Sequence, residues 1–380
     1  LSVELKSIAM NKLSFKNNRF KIMQIADAQE LPAVSPDTVK LIRLAIAAEQ
    51  PDLIVFTGDQ IYGIHPYLWG AGDEMRVKRV LTELLRPVTE AGVPFAVTFG
   101  NHDAESGVPN ARQAQLFAAM PGYTAGDRRC DEDPGTFRLS ILNEDGAEAF
   151  CVYAFDTHGA AFGGERSGIS EAQLEWFRAT RKENKTPALV FQHIPAPEYY
   201  NVIKETNKNT RDAVEAFGRR KGKFYTLPQP LKDTGGFMRE SPSVISEDAG
   251  EFDTLSADGS VLAIVAGHDH NNSFVAEHRG MKLIYTQCAG FHVYGPHLKR
   301  GVRIFTLDEN NPGEFTTYTR TWESLTAEKP ARPLLEMFLS HTPSSVGQAV
   351  ALAKRYGIPM FAGVAAAGVA VYCAAKKKKR

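Results

Sequence analysis

Short, wholly apolar runs alternate with segments whose apolar residues recur at helical spacing. Phe20 to Ala26, Leu53 to Thr57, Pro94 to Phe99, Ala188 to Gln192 and Val261 to Ala266 are predicted strands. Leu53 to Thr57 is wholly apolar, the character of a strand covered on both faces. Thr136 to Leu142 and Ala149 to Phe155 read as further strands, as do stretches near Phe274, Leu283, Val302 and Phe315. Between the first strands lie two helices. Ser35, Pro36 and Asp37 open one of them, with a capping hydroxyl, a proline suited to the first turn and an acid at the positive helix end. Val39, Ile42 and Ile46 supply its apolar face. Val77, Val80, Leu81, Leu84, Leu85 and Val88 mark the second by their i, i+3, i+4, i+7 recurrence. A third begins at Ser170, where Ser170 and Gln173 form a capping box and Ile169 and Leu174 a hydrophobic staple, and it carries Trp176 and Phe177. The order, βαβα first and mostly β later, predicts a layered α/β domain over about residues 1–325. Residues 196–255 fit the alternation poorly, holding polar turns, Pro228, Pro230 and the basic cluster Arg219, Arg220, Lys221 and Lys223. They read as an insertion, either shaping substrate access or forming a solvated excursion.

Composition narrows the class. Hydrophobic residues make up 43% of the 380 and charged residues 23%, as in globular proteins. Lysine plus arginine and aspartate plus glutamate both number 44, so no global basic field draws nucleic acid, and no nucleic-acid partner is expected. The four cysteines, Cys130, Cys151, Cys288 and Cys373, stand far apart and read as free buried thiols. The opening LSVELKSIAMNKLSF alternates and carries charge, unlike the apolar region of a signal peptide.

Polar clusters follow five of the apolar runs directly: Asp27-Ala28-Gln29, Gly58-Asp59-Gln60, Gly100-Asn101-His102-Asp103, Gln192-His193 and Gly267-His268-Asp269-His270. Residues just past the strands of a covered sheet emerge at one edge, where α/β sheets bind ligands. A lone buried histidine or aspartate is usually a satisfied polar group. Asp, Asp, Asn, His and His-x-His at five strand ends point instead to a metal site. Carboxylate, amide oxygen and imidazole suit manganese, iron or zinc. Two dications at close range repel and need a shared anionic ligand, for which Asp59 is the natural bridge. Gly58, Gly100 and Gly267 permit the tight turns on which ligands converge.

These motifs, in this order over about residues 18–310, resemble those of the calcineurin-like metallophosphoesterases. VFTGDQI, ISEAQLEWF and RGVRIFTL are similar to the branch of small purple-acid-phosphatase-like proteins. The resemblance implies a four-layer αββα sandwich with two divalent or mixed-valence metal ions at the strand ends. It places Asp27, Asp59 and His270 on one metal, and Asp59, Asn101, His193 and His268 on the other. His102 would stand by the substrate as proton donor or oxyanion stabiliser, with Asp103 orienting it through a hydrogen bond. The implied reaction is hydrolysis of a phosphomonoester or phosphodiester, a metal-activated hydroxide attacking phosphorus in line. Many members carry histidine two residues after the first aspartate, where this chain has Gln29. Purple acid phosphatases lack that histidine and use a tyrosine three residues after the bridging aspartate, the place of Tyr62. Gln29, Tyr62 or water completes the first site on these alternatives. Gln29 also keeps open a different reading, a degenerate phosphoesterase-like module that binds without catalysis.

Residues 326–355 read as a linker. From Tyr356 to Ala375 the chain carries no charge, and Lys376 to Arg380 follow. The run is long enough to cross a bilayer, though rich in alanine and glycine. The expectation is membrane association through this segment with the cations on the cytoplasmic side; an Ala-rich tail packed on the surface is the alternative. The side of the catalytic domain stays open.

Overall fold

A computed structural model of the chain describes residues 12–63, 72–124, 126–131, 133–159, 168–245 and 248–342. The uncharged run and its cations, with most of the expected N-terminal segment, lie outside them. Strands run in chain order Arg19–Ile25 (β1), Leu53–Thr57 (β2), Phe95–Thr98 (β3), Arg128–Cys130 (β4), Asp133–Leu142 (β5), Glu148–Phe155 (β6), Ala188–Gln192 (β7) and Lys204–Thr206 (β8). They continue as Val214–Glu215 (β9), Phe224–Thr226 (β10), Phe237–Met238 (β11), Val261–Ala266 (β12), Asn272–His278 (β13), Met281–Tyr285 (β14), Gly301–Asp308 (β15) and Phe315–Thr321 (β16). The helices are Pro36–Glu49 (α1), Glu74–Ala91 (α2), Asn110–Ala118 (α3), Glu171–Glu183 (α4), Gln229–Asp233 (α5), Glu251–Ser256 (α6), Trp322–Leu325 (α7) and Pro333–Ser340 (α8).

Two sheets stack. One is ordered β16-β15-β1-β2-β3, the other β11-β13-β14-β12-β7-β6-β5-β4; β8, β10 and β9 form a small third. In β1, Phe20 and Ile22 face the core between the sheets, whereas Met23 and Ile25 face the helices α1 and α2. In β6, Phe150, Val152 and Ala154 face the core between the sheets, and Cys151, Tyr153 and Phe155 face α4 and the core beyond it. Both faces of these two strands are therefore largely buried, and in β6 the period of two is hidden inside the apolar run Ala149 to Phe155. The layers run helix, sheet, sheet, helix, the α/β sandwich expected.

The helix starts follow the anticipated chemistry. The Ser35 hydroxyl accepts from the amides of Asp37 and Thr38, and Ser170 with Gln173 completes a capping box. Residues 196–255 are partly woven into the second core. Tyr199, Tyr225, Phe252 and Leu255 are buried there, and the Tyr199 hydroxyl lies 3.0 Å from the carbonyls of both Ile264 and Ile284. Within the segment read as a linker, Pro333–Ser340 is helical. Cys130, Cys151 and Cys288 are buried free thiols. Among the described residues, no helix is long and apolar enough to cross a membrane.

Candidate metal centre

The parallel strands β1, β2 and β3 end together, and so do β7 and β12. Asp27, Asp59 and Asn101 follow the first three, and His193 and His268 follow the other two. The candidate ligands thus come from both sheets. Past the strand ends the backbone turns sharply, and Asp27, Gln29, Asp59 and His268 all adopt positive φ, from 39° to 72°. That conformation is costly for residues bearing a Cβ and persists where surrounding contacts enforce it. Among these contacts, the Gln29 amide donates to the Asp59 carbonyl at 2.7 Å, and the His268 amide donates to Asp27 Oδ2 at 2.9 Å. Gly58, at φ +88°, leaves space that a Cβ would take from His193, whose Nδ1 would lie 2.6 Å away.

The ring orientations decide where lone pairs point. His193 Nδ1 lies 2.9 Å from the Thr57 carbonyl, which can only accept, so that nitrogen carries the hydrogen. Nε2 is left with its lone pair, 3.1 Å from Asn101 Oδ1, 3.1 Å from His268 Nδ1 and 3.2 Å from Asp59 Oδ2. Acceptors crowded about one point repel unless a proton or a cation sits among them. The side chains of Asp59, His193 and His268 can each offer one ligand atom within 4.8 Å of the others. His270 repeats the logic: Nδ1–H donates to the Tyr294 carbonyl at 2.9 Å, and Nε2 faces Asp27 Oδ1 at 3.5 Å. Asp27 Oδ1 is buried and accepts no hydrogen bond. Asp59, His193 and His268 therefore fit one metal ion, and Asp27 with His270 stand as a facing donor pair beside them.

Electrostatics agree. Burial alone would lower His193, but Asp59 and Asp27 outweigh it and push it up to about 10. Burial alone would raise Asp59; His193 and His102 overcome that and hold its carboxyl well below the usual carboxylate range. The pocket is a negative field that favours positive charge.

The remaining expected residues separate. His102 donates its amide to Asp59 Oδ1 at 2.8 Å, so its backbone is tied to the centre. Its Nδ1 lies 2.6 Å from Glu105 Oε2. Burial opposes its charge, yet Asp59 and Glu105 raise it above the ordinary histidine range. The expectation that Asp103 orients His102 is corrected here. Asp103 spends both carboxylate oxygens on the backbone amides of Asp59, Gln60, Ile61 and Gly100, at 2.8–3.1 Å. It braces one loop against another, and Glu105 holds the imidazole. Burial and the neighbouring Asp59 push Asp103 up to about 7 against those donors. Glu105 was missed because its reach back to His102 depends on the short 3-10 turn Ala104–Ser106. The Tyr294 and Thr57 carbonyls were missed because backbone groups leave no sequence signature.

Gln29 is fully enclosed, and its amide nitrogen donates to Asp59 Oδ2 at 2.7 Å. In this arrangement it clamps the bridging carboxylate. The Tyr62 ring stands edge-on to His102 with centroids 5.6 Å apart. Burial, Glu105 and Asp59 all raise its phenol above the ordinary value. His158 pairs with Asp133 at 3.2 Å and His292 with Glu30 at 2.9 Å.

Comparison with known proteins bears on the family and the fold. Probable inactive purple acid phosphatase 14 of Arabidopsis thaliana is 27% identical over 323 residues, covering 73% of this chain and 72% of that protein. Phosphatase DCR2 of Saccharomyces cerevisiae is 25% identical, covering 67% of this chain and 45% of its own length. Among solved structures, a dimetal phosphatase from Danio rerio shares the fold, with a TM-score of 0.51 at 16% identity over 79% of this chain and 98% of that one. The profile of the calcineurin-like phosphoesterases matches residues 20–272. That span takes in every candidate metal ligand, from Asp27 to His270, and the chain belongs to the calcineurin-like phosphoesterase family.

Proposed function

We propose that the protein is a metal-dependent phosphoric ester hydrolase acting on a phosphomonoester or phosphodiester. The observation that carries this reading is the convergence of lone pairs from His193, His268, Asn101 and Asp59 on one point, beside a second pair, Asp27 and His270. Asn101, Asp59, His193 and His268 would hold one ion; Asp27, Asp59 and His270 would hold the other, with manganese, iron or zinc suited to such donors. When bound, such a pair supplies Lewis acidity to the phosphoryl oxygens and an activated water. The chain's own residues do the rest. His102, raised by Asp59 and Glu105 against burial, donates its proton to the departing ester oxygen. Glu105 keeps its ring in place, and Gln29 steadies Asp59 by hydrogen bond. Asp103 holds the turns after β2 and β3 together.

A second reading, a binding module without catalysis, draws on the relatives named probable inactive purple acid phosphatases and on Gln29. One experiment divides the two. The protein is stripped with chelator, reloaded with manganese, iron or zinc, and assayed on aryl and bis-aryl phosphates. Turnover that chelation abolishes supports the hydrolase. No bound metal, with no turnover under any metal tested, removes the hydrolase and favours the module.

A further inference from the structure

Helix α8, PLLEMFLS, is arranged inside out for a helix facing water. Leu334, Leu335 and Met337 are 77%, 37% and 50% exposed, and the helix's sole charged residue, Glu336, is 3% exposed. Among the described residues, the large hydrophobics standing exposed are these three with Met75 and Tyr318, so the exposure is concentrated on one element. A helix on a water-soluble surface normally turns its acids outward and its leucines in. Phe338 and Leu339 are half-buried, and the one fully buried side chain of the helix is the charged Glu336. Glu336 Oε2 lies 2.5 Å from His297 Nδ1, and Oε1 lies 3.7 Å from the Nε of the fully buried Arg300. Just before the helix, the Ala331 amide donates to both oxygens of Asp37, at 2.9 and 3.0 Å. Arg300 also donates to the carbonyl of Val293 at 2.7 Å, in the loop whose Tyr294 carbonyl orients His270. Polar contacts hold the helix firmly to the domain while its apolar side faces away.

We propose that this face lies in the headgroup and acyl boundary of a lipid bilayer. Exposed Lys329 and Arg332 stand just ahead of the apolar side chains, as on helices that rest on anionic lipid. The sequence beyond the described residues points the same way. Lys354 and Arg355 precede the uncharged run 356–375, and Lys376 to Arg380 follow it. A run of that length suits a bilayer crossing, and it would bring α8 to the surface, since some fifteen residues separate the two. Lipid is the occupant these charges and this run favour; a second copy of the chain is an outcome the test separates.

The test uses the full chain bound to vesicles of phosphatidylcholine alone or with about one-third phosphatidylserine. Cys373→Ser removes the thiol outside the described residues, and the buried Cys130, Cys151 and Cys288 are shielded from label. A nitroxide is placed at Met337→Cys or, as reference, at Met75→Cys, which is 83% exposed on another helix. Oxygen and a water-soluble nickel complex then report depth. The proposal expects the label at 337 to favour oxygen on vesicles and the label at 75 to stay in water, with unchanged metal content in both. Leu334→Gln with Leu335→Gln should move the label at 337 toward water while the chain stays on the vesicles through residues 356–375. Equal aqueous exposure at 337 and 75 on vesicles overturns the proposal. So does failure of the full chain to bind vesicles, or a dimer in solution that Leu334→Gln with Leu335→Gln dissolves.

Discussion

Two histidines separated by 91 positions illustrate how one residue type divides into roles. His193 has Nδ1 occupied by a carbonyl and Nε2 aimed at three acceptors, the arrangement of a ligand. His102 is instead paired with Glu105, and Asp59 and Glu105 raise it above the ordinary histidine range, as suits a proton donor. His193→Ala is expected to empty one metal position, read by metal analysis. His102→Ala should keep both metals and lower kcat by about 10²–10⁴-fold. Loss of metal in His102→Ala would show that the division is wrong. Glu105→Gln tests the correction made above. Without that negative charge His102 loses its proton at lower pH, so the alkaline limb of the pH–rate profile should move down while metal content holds. Substituting Asp103 should instead weaken the turns that carry Asp59 and Asn101. Gln29→His exchanges a hydrogen-bond clamp for an imidazole and should tighten metal at the Asp27 and His270 position, measured by competition with a chelator.

The turns between strand and helix carry the constraints of the element scale. Gly58→Ala must place a Cβ against His193 at a backbone angle that L residues avoid, and should cost about 3 kcal/mol in denaturant unfolding together with metal affinity. Gly146, also left-handed at φ +84° but facing open space, is the control and should cost about 1 kcal/mol. The turn after β6 offers a pH test. The hydrogen bond that the His158 imidazolium donates to Asp133, outweighing burial and helped by Asp156, raises His158 to about 9. A histidine raised on folding stabilises the protein fully below its unfolded value and loses that contribution as pH rises through its folded value. The advantage of wild type over His158→Gln should therefore be largest near pH 6 and gone by about pH 10. Its size should be about 1 kcal/mol, because the imidazole is partly exposed and solvent screens it. An advantage that grows with pH would contradict the assignment.

Across the whole molecule, the candidate ligands divide between the sheets: Asp27, Asp59 and Asn101 from one, His193, His268 and His270 from the other. Bound metal would cross-link the two layers whose apolar faces form the central core. Metal at 100 times its dissociation constant would add about 2.7 kcal/mol to stability. Chelation should lower Tm by several degrees, reversed on adding back the metal. A Tm indifferent to chelator and metal would mean that the loops hold the ligand geometry unaided, or that metal does not bind.

The sequence by itself determined the layers and the approximate ligand set. Strands covered on both faces must be apolar throughout, and helices against a sheet must show a stripe, so Leu53 to Thr57 and Val77 to Val88 declared themselves. Polar residues just past such strands can only emerge at the sheet edge, which made Asp27, Asp59, Asn101, His193 and His268 legible together. Tertiary structure alone decided which atoms meet. Whether His102 pairs with Asp103 or with Glu105 turns on one short 3-10 turn and on four backbone amides that claim Asp103 first. The outward leucines of α8 were equally hidden: a stretch of eight residues shows an apolar side, but only packing decides whether that side or Glu336 faces the protein. Periodicity records that a face is apolar, and the three-dimensional neighbours determine what it meets.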